Sequence, residues 1–299
     1  MGVEDFNYPE LKQLEANLDT LKIPNHIATF DGDHRWASSK LLTEAVEWME
    51  LQAMRLGRQK RDQAFVDALW NQRLENAREA ETNSNQYAEY LNYKMLAGDF
   101  AGLKIVEEYE KRAATLSQSR AVRQAIRREQ EQLREQQEIA ERVINMGGRL
   151  LAEPTSRAIA LKELKTTVEG LLKKSRAANE NNDRLVVRRA LFQVSAQTFE
   201  AALYNYLPGR QYNLAIVNLL VAEEVTTDLA RIPFELARAY ALNGEKKPAL
   251  AALRRAIEKG LTDVTIIENQ KDLDSLRAEL EYKSILTRAT KEKVPVHQP

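Results

Sequence analysis

The chain has 299 residues, enough for two domains, and its 44 basic side chains balance 44 acidic ones. That balance removes any bulk electrostatic drive toward nucleic acid or an acidic membrane surface. With no cysteine, disulfides, thiolate metal sites and a cysteine nucleophile are excluded, while sparse glycine and proline (11 and 8) beside 29% charged residues give the profile of a mainly α protein.

Residues 1–57 have their own texture. Leu11, Leu14, Leu18 and Leu21 fall at helical spacing, and Pro24 marks the end of that helical region. His26–Phe30 (HIATF) is short, apolar and β-leaning, and it reads as a strand. A loop, DGDHRWASS, follows. Then comes an amphipathic helix, KLLTEAVEWMELQAMRLG, with Ser38 or Ser39 as N-cap and Gly57 as C-cap. Helix, strand, loop and helix in that order make a piece of an α/β layer.

Residues 58–182 read as a helical region. Phe65, Leu69 and Leu74 mark one face of a helix that ends near the turn-prone Thr82–Asn85. A short helix carries Tyr87, Tyr90, Leu91 and Met95, and Gly98-Asp99 is expected to break it. Another holds Leu103, Val106, Tyr109 and Leu116. From Ser119 a long charged helix has a thin apolar stripe of Val122, Ile126, Leu133, Ala140, Val143 and Ile144. Glutamates interleave its arginines at pairing distance, so it reads as a solvated face rather than a nucleic-acid patch. Gly147-Gly148 reads as a helix break, and the polar NENND run separates the helices that follow.

Residues 183–290 contain an internal repeat. Ala215 and Ala222 match Ala249 and Ala256, Tyr206 matches Tyr240, and Leu219 matches Leu253, all at one constant offset. Pro208-Gly209 and Asn243-Gly244 supply the turns of two helix–turn–helix units. This period and spacing resemble the tetratricopeptide repeat, in which alanines let paired helices approach closely. The first copy is degenerate, with Leu203 where a small residue is usual. Ile267, Leu273, Leu276, Leu280 and Ile285 are the expected packers of a capping segment, and residues 291–299 form a tail.

Two stretches carry a second resemblance. GVEDFNYPEL resembles the acid loop of an α/β-hydrolase, and IPNHIATFDGDHRWASSKLLTEAVEWMELQAM resembles its final strand, histidine loop and last helix. The whole chain resembles the C-terminal portion of bacterial esterase-like proteins in which a hydrolase domain precedes helices and tetratricopeptide repeats. The resemblance implies that Asp5 is the triad acid and His34 the base, with Asp5 holding the imidazole in one tautomer. The family's G-x-S-x-G nucleophile elbow does not occur here, nor does its glycine-rich oxyanion loop. In this fold both precede the acid and the base. The chain therefore reads as the downstream half of a split gene, as an excised fragment, or as a natural protein that kept a hydrolase remnant.

The expected function is a helical, tetratricopeptide-type protein-interaction or scaffold module without autonomous catalysis. The alternative is the C-terminal part of a serine esterase or peptidase, supplying Asp5 and His34 to an upstream nucleophile. Expected partners are a protein or peptide, the upstream hydrolase portion, or a second copy of the chain. Neither nucleic acid nor membrane is expected. No cofactor is called for, and the histidines at 26, 34 and 297 lack metal-ligand spacing. His26 reads as an ordinary strand-start residue. No signal-peptide layout opens the sequence, so as written it reads as cytoplasmic, with export an option for a longer parent.

A lone strand cannot satisfy its own backbone groups, so residues 1–57 are expected to be the least stable part of the chain. Hydrogen exchange tests this: the amides of Ala28–Phe30 should exchange early. Strong protection there in a monomer counts against the expectation.

Overall fold

A computed structural model of the protein describes residues 1–176 and 182–292, within two compact units, Met1–Arg134 and Glu135–Pro299. Most of the NENND run and of the tail, His297 included, lies outside the described residues. The architecture is mainly helical.

The first unit holds α1 (Tyr8–Thr20), α2 (Ser39–Arg55), α3 (Gln63–Thr82), α4 (Gln86–Phe100), α5 (Glu107–Ser117) and the start of α6 (Arg120–Gly148). Local chemistry sets the ends. Ser38 caps α2 by accepting the Leu41 N–H at 3.4 Å, Asp62 caps α3 through Phe65 N–H, and Asn85 caps α4 through Ala88 N–H. Gly57 ends α2 with φ +68°, where only glycine is unstrained. Leu51 and Met54 of α2, Val66 and Leu69 of α3, and Leu96 and Phe100 of α4 share one core. Each such side chain contributes about 1.5–3 kcal/mol of burial. Trp70 meets Phe100 and Tyr109 edge-on, each at 5.2 Å between centroids. The buried carboxylate of Glu89 is answered by Arg112 at 2.8 Å.

Three sequence expectations need correction here. The strand expected at His26–Phe30 does not form: among the described residues there is no strand, and Phe30 makes only an isolated parallel bridge with Gly2. Val3 N–H donates to Phe30 O (2.9 Å) and Phe30 N–H to Met1 O (3.0 Å), flanked by Met1 N to Ala28 O (2.6 Å) and Glu4 N–H to Gly32 O (2.8 Å), and the pairing goes no further. A β-leaning segment needs a partner along its length, and residues 1–4 are too few to supply one. Nor is α4 broken at Gly98-Asp99; it runs on to Phe100, and the turn falls at Gly102, φ +77°. One glycine costs a helix about 1 kcal/mol, which the packing of Leu96 and Phe100 offsets. The leucine face of α1 is also incomplete, because Leu14 and Leu21 are exposed and only Tyr8 is buried.

The second unit holds the rest of α6, then α7 (Pro154–Ser175), α8 (Asn182–Glu200), α9 (Tyr212–Val225), α10 (Arg231–Leu242), α11 (Lys246–Glu258), α12 (Val264–Glu268) and α13 (Leu280–Glu292). Gly147 lets α6 approach α9: a Cβ there would stand 2.4 Å from a Val221 methyl. Helix packing repeats with the period of the sequence. Ala215, Leu219 and Ala222 are fully buried, as are their counterparts Ala249, Leu253 and Ala256. The turns repeat as well. Arg210 (φ +55°) and Gly244 (φ +79°) occupy equivalent positions in the two copies. Each precedes an N–H that bonds back to the equivalent tyrosine, Gln211 to Tyr206 O and Glu245 to Tyr240 O, both at 2.9 Å. Leu203 stands where the second copy has the fully buried Ala237, and there the helix opens into a π segment, Ala201–Tyr206. Beyond the repeat, Ile267, Leu273, Leu276 and Ile285 are buried as expected. Leu280 is not; it stands at the start of α13 in solvent.

Arg210 holds a left-handed conformation that glycine adopts without strain. Arg210→Gly should therefore raise unfolding stability by about 0.5–1 kcal/mol, read as a higher denaturant midpoint at unchanged slope.

Candidate functional site

Two short loops of the first unit meet by close backbone contact. A Cβ on Gly2 would lie 2.4 Å from the Gly32 carbonyl oxygen and 2.5 Å from that of Asp33. Only glycine permits this approach, and Glu4 N–H then donates to Gly32 O at 2.8 Å. Gly32 itself sits at φ +139°, so the turn that the sequence centres on it also requires glycine.

The contact brings Asp5 and His34 together across 29 positions. His34 Nδ1 lies 3.1 Å from Asp5 Oδ2 and 3.3 Å from Oδ1. Asp5 is almost buried, and its Oδ1 also accepts the Asn7 N–H at 2.9 Å, an Asx turn that leads into α1. The imidazole is 56% exposed and leans on Phe6, with centroids 4.8 Å apart. With its proton on Nδ1 and held by a carboxylate, a neutral imidazole presents a lone pair at Nε2, the arrangement of a general base. Among the described residues no hydroxyl hydrogen-bonds His34.

A second histidine–aspartate pair was missed by the sequence reading. His26 Nδ1 lies 3.0 Å from Asp99 Oδ2 and 3.2 Å from Oδ1, and both side chains are only 5% exposed. A signal for it existed. Asp99 falls in the last turn of α4, where the helix dipole disfavours an anion, so the carboxylate needs a partner.

Beside this pair lies a polar cluster that ties α1 and α4 to α6. Glu129 accepts from Tyr8 Oη (2.7 Å) and Tyr87 Oη (3.2 Å), and Lys12 Nζ reaches both Glu15 (2.8 Å) and Glu129 (3.3 Å). Burial pushes the Tyr87 phenol well above its ordinary value, and the Glu129 carboxylate adds to the rise. Burial alone would lower the Lys12 ammonium, but its bonds to Glu15 and Glu129 more than offset this and raise it. Among the described residues no group of three histidine, aspartate or glutamate side chains converges to hold a metal, and no helix is long and apolar enough to cross a membrane.

No protein family matches this chain, and neither does any curated protein or solved structure.

The Tyr87 phenol ionises more readily in the unfolded chain than in the folded one. Its contribution to stability is therefore present below about pH 10 and is lost as pH rises beyond it. Denaturation midpoints at pH 9 and pH 11 should fall less steeply for Tyr87→Phe than for the wild type. Equal slopes would show that Tyr87 plays no part in the alkaline loss.

Proposed function

We propose that this chain supplies the acid and the base of a serine α/β-hydrolase, carried on a helical interaction scaffold, and is not catalytically autonomous. The Asp5–His34 pair carries the reading. A nearly buried carboxylate, fixed by a backbone N–H, faces Nδ1 of an imidazole whose other edge is open. In the proposed reaction His34 Nε2 takes the proton of a serine hydroxyl as that oxygen attacks an ester or peptide carbonyl. The imidazolium is stabilised by Asp5 and then gives the proton to the leaving group. The nucleophile and the oxyanion donors come from a polypeptide outside these 299 residues.

Exposed apolar surface near the pair supports the reading. Trp36 is 92% exposed two residues after His34, and Leu42, Val46 and Met49 form an uncovered stripe along α2. Monomeric proteins seldom leave such a run open. The rest of a hydrolase domain would cover it.

The scaffold part of the proposal rests on the second unit. Two hairpins in regular succession, with alanines at the helix crossings and matching left-handed turns, favour a tetratricopeptide-type module that binds a protein or peptide.

The DNA before the Met1 codon should encode an in-frame Gly-x-Ser-x-Gly. The polypeptide it encodes, combined with this chain, should hydrolyse 4-nitrophenyl acetate when neither does so alone. His34→Ala should abolish that activity, and Asp5→Asn should lower kcat roughly 10⁴-fold. An unrelated upstream gene, or hydrolysis indifferent to both substitutions, would overturn the proposal.

A further inference from the structure

The segment between α1 and the histidine loop leaves backbone groups unmet beside a cavity. The cavity lies in the first unit and holds about 630 Å³, within the range of ligand sites. Residues 22–29 form one side of it, and residues of α1, α2 and α4 with Glu129 of α6 form the rest.

Hydrogen bonds fix which way the segment turns its backbone. Ala28 O accepts from the Met1 ammonium (2.6 Å), Phe30 N–H donates to Met1 O (3.0 Å) and Phe30 O accepts from Val3 N–H (2.9 Å). That two-residue step is the alternation of an extended chain. Thr29, which lies between them, and Ile27 before them therefore turn their N–H and C=O groups to the opposite edge. Among the described residues none of these four groups has a hydrogen-bond partner. Ile27 and Thr29 belong to the cavity wall and residues 1–3 do not, so the unmet edge is the one on the cavity side. Thr29 is exposed and Ile27 half-buried, so the edge is reachable as it stands. Unmet groups along a β-leaning edge are a template for another strand.

The side chains of the wall narrow what can be added. Ile27, Leu41, Leu91 and Met95 give it apolar contacts. Its acids all have partners: Lys12 reaches Glu15 and Glu129, Lys94 reaches Asp19 (2.6 Å), Arg73 reaches Glu44 (3.7 Å) and His26 reaches Asp99 (3.0 Å). Lys22 and Arg55, also in the wall and both exposed, have no acid at ion-pair distance among the described residues. The unanswered charges are thus positive and suit an acidic partner.

We propose that this cavity receives an extended segment of another polypeptide, bearing apolar and acidic side chains, which adds as a strand along Ile27–Thr29. The added backbone bonds the N–H and C=O of both residues. Its apolar side chains rest on Leu91 and Met95, and its acids face Lys22 and Arg55. Backbone pairing supplies affinity and the side chains supply selectivity. The site depends neither on the Asp5–His34 pair nor on the repeats of the second unit.

The test titrates the full chain with acetyl-Glu-Val-Glu-Val-Glu-amide, with that peptide N-methylated at its valines or at its glutamates, and with acetyl-Lys-Val-Lys-Val-Lys-amide. Calorimetry reads affinity and amide hydrogen exchange reads the site. The acidic peptide should bind and slow exchange at Ile27 and Thr29 about tenfold or more, with less change at Phe30, which is already bonded. One of the two N-methylated peptides should bind about tenfold more weakly, because it loses the N–H groups that face the edge. The lysine peptide should bind about fivefold more weakly than the acidic one, and Lys22→Glu combined with Arg55→Glu should reverse that order. No binding of the acidic peptide up to its solubility would overturn the proposal. So would binding that leaves Ile27 and Thr29 unprotected, which would put the peptide elsewhere, or equal affinity for the parent and both N-methylated peptides. The wild-type measurements stand by themselves should the double variant not fold.

Discussion

The N-terminal segment that carries Asp5 and His34 depends on a backbone contact that tolerates no side chain. Gly2 lies against the carbonyls of Gly32 and Asp33. Two loops that share no helix and no sheet are thereby held at hydrogen-bond distance. The Phe30 bridge, the Glu4–Gly32 bond and the Asp5–His34 pair all follow from that approach. Any larger residue at position 2 would push the loops apart, and the acid would lose its histidine before any contact in the helical core changed.

The two histidine–aspartate pairs are the same chemistry in different surroundings. Both rings turn Nδ1 toward a nearly buried carboxylate, at 3.1 Å and 3.0 Å. The His34 ring is more than half exposed, so its far nitrogen is reachable by a partner or by water. The His26 ring is enclosed, and its far nitrogen has no partner. An exposed lone pair suits proton transfer to a group that arrives and leaves. An enclosed one is out of reach of an arriving group, and in a low-dielectric interior an unmet acceptor is costly. Burial, more than the identity of the pair, separates what the two rings can do.

Much of the local structure was legible because it is written in short-range chemistry. Ser38 and Gly57 bound α2 as their residue types dictate, and the regular spacing of Ala215, Ala222, Ala249 and Ala256 marks real helix crossings. Asp5 and His34 were singled out through a resemblance, not through spacing, since nothing local relates positions so far apart along the chain. What escaped was tertiary. The HIATF segment has strand propensity but no neighbouring strand, and propensity yields to the absence of a partner. Gly98-Asp99 looks like a break, yet packing on either side and the contact of Asp99 with His26 carry α4 through it. The His26–Asp99 pair joins a loop to a helix 73 positions away, and only the oddity of an acid in a last helical turn hinted at it.

Helix α2 shows how the first unit can be folded and still present an open surface. At 100° per residue, Leu42, Val46, Met49 and Leu56 lie along one side, and Leu51 lies opposite. The Leu51 side, with Met54 beside it, enters the core of the unit, where both are buried. The other side is exposed at Leu42, Val46, Met49 and Leu56, and Trp36, 92% exposed, precedes it. A surface helix needs only one apolar stripe, so a second one opposite the first is not explained by the packing of this unit. Burial at Leu51 and Met54 anchors the helix whether or not the second stripe is covered. The open stripe, and the open edge of His34 that precedes it on the same loop-and-helix segment, therefore belong to contacts the unit does not make with itself. Under the proposed function, one covering domain would meet both the surface and the proton acceptor left free on this short stretch of chain.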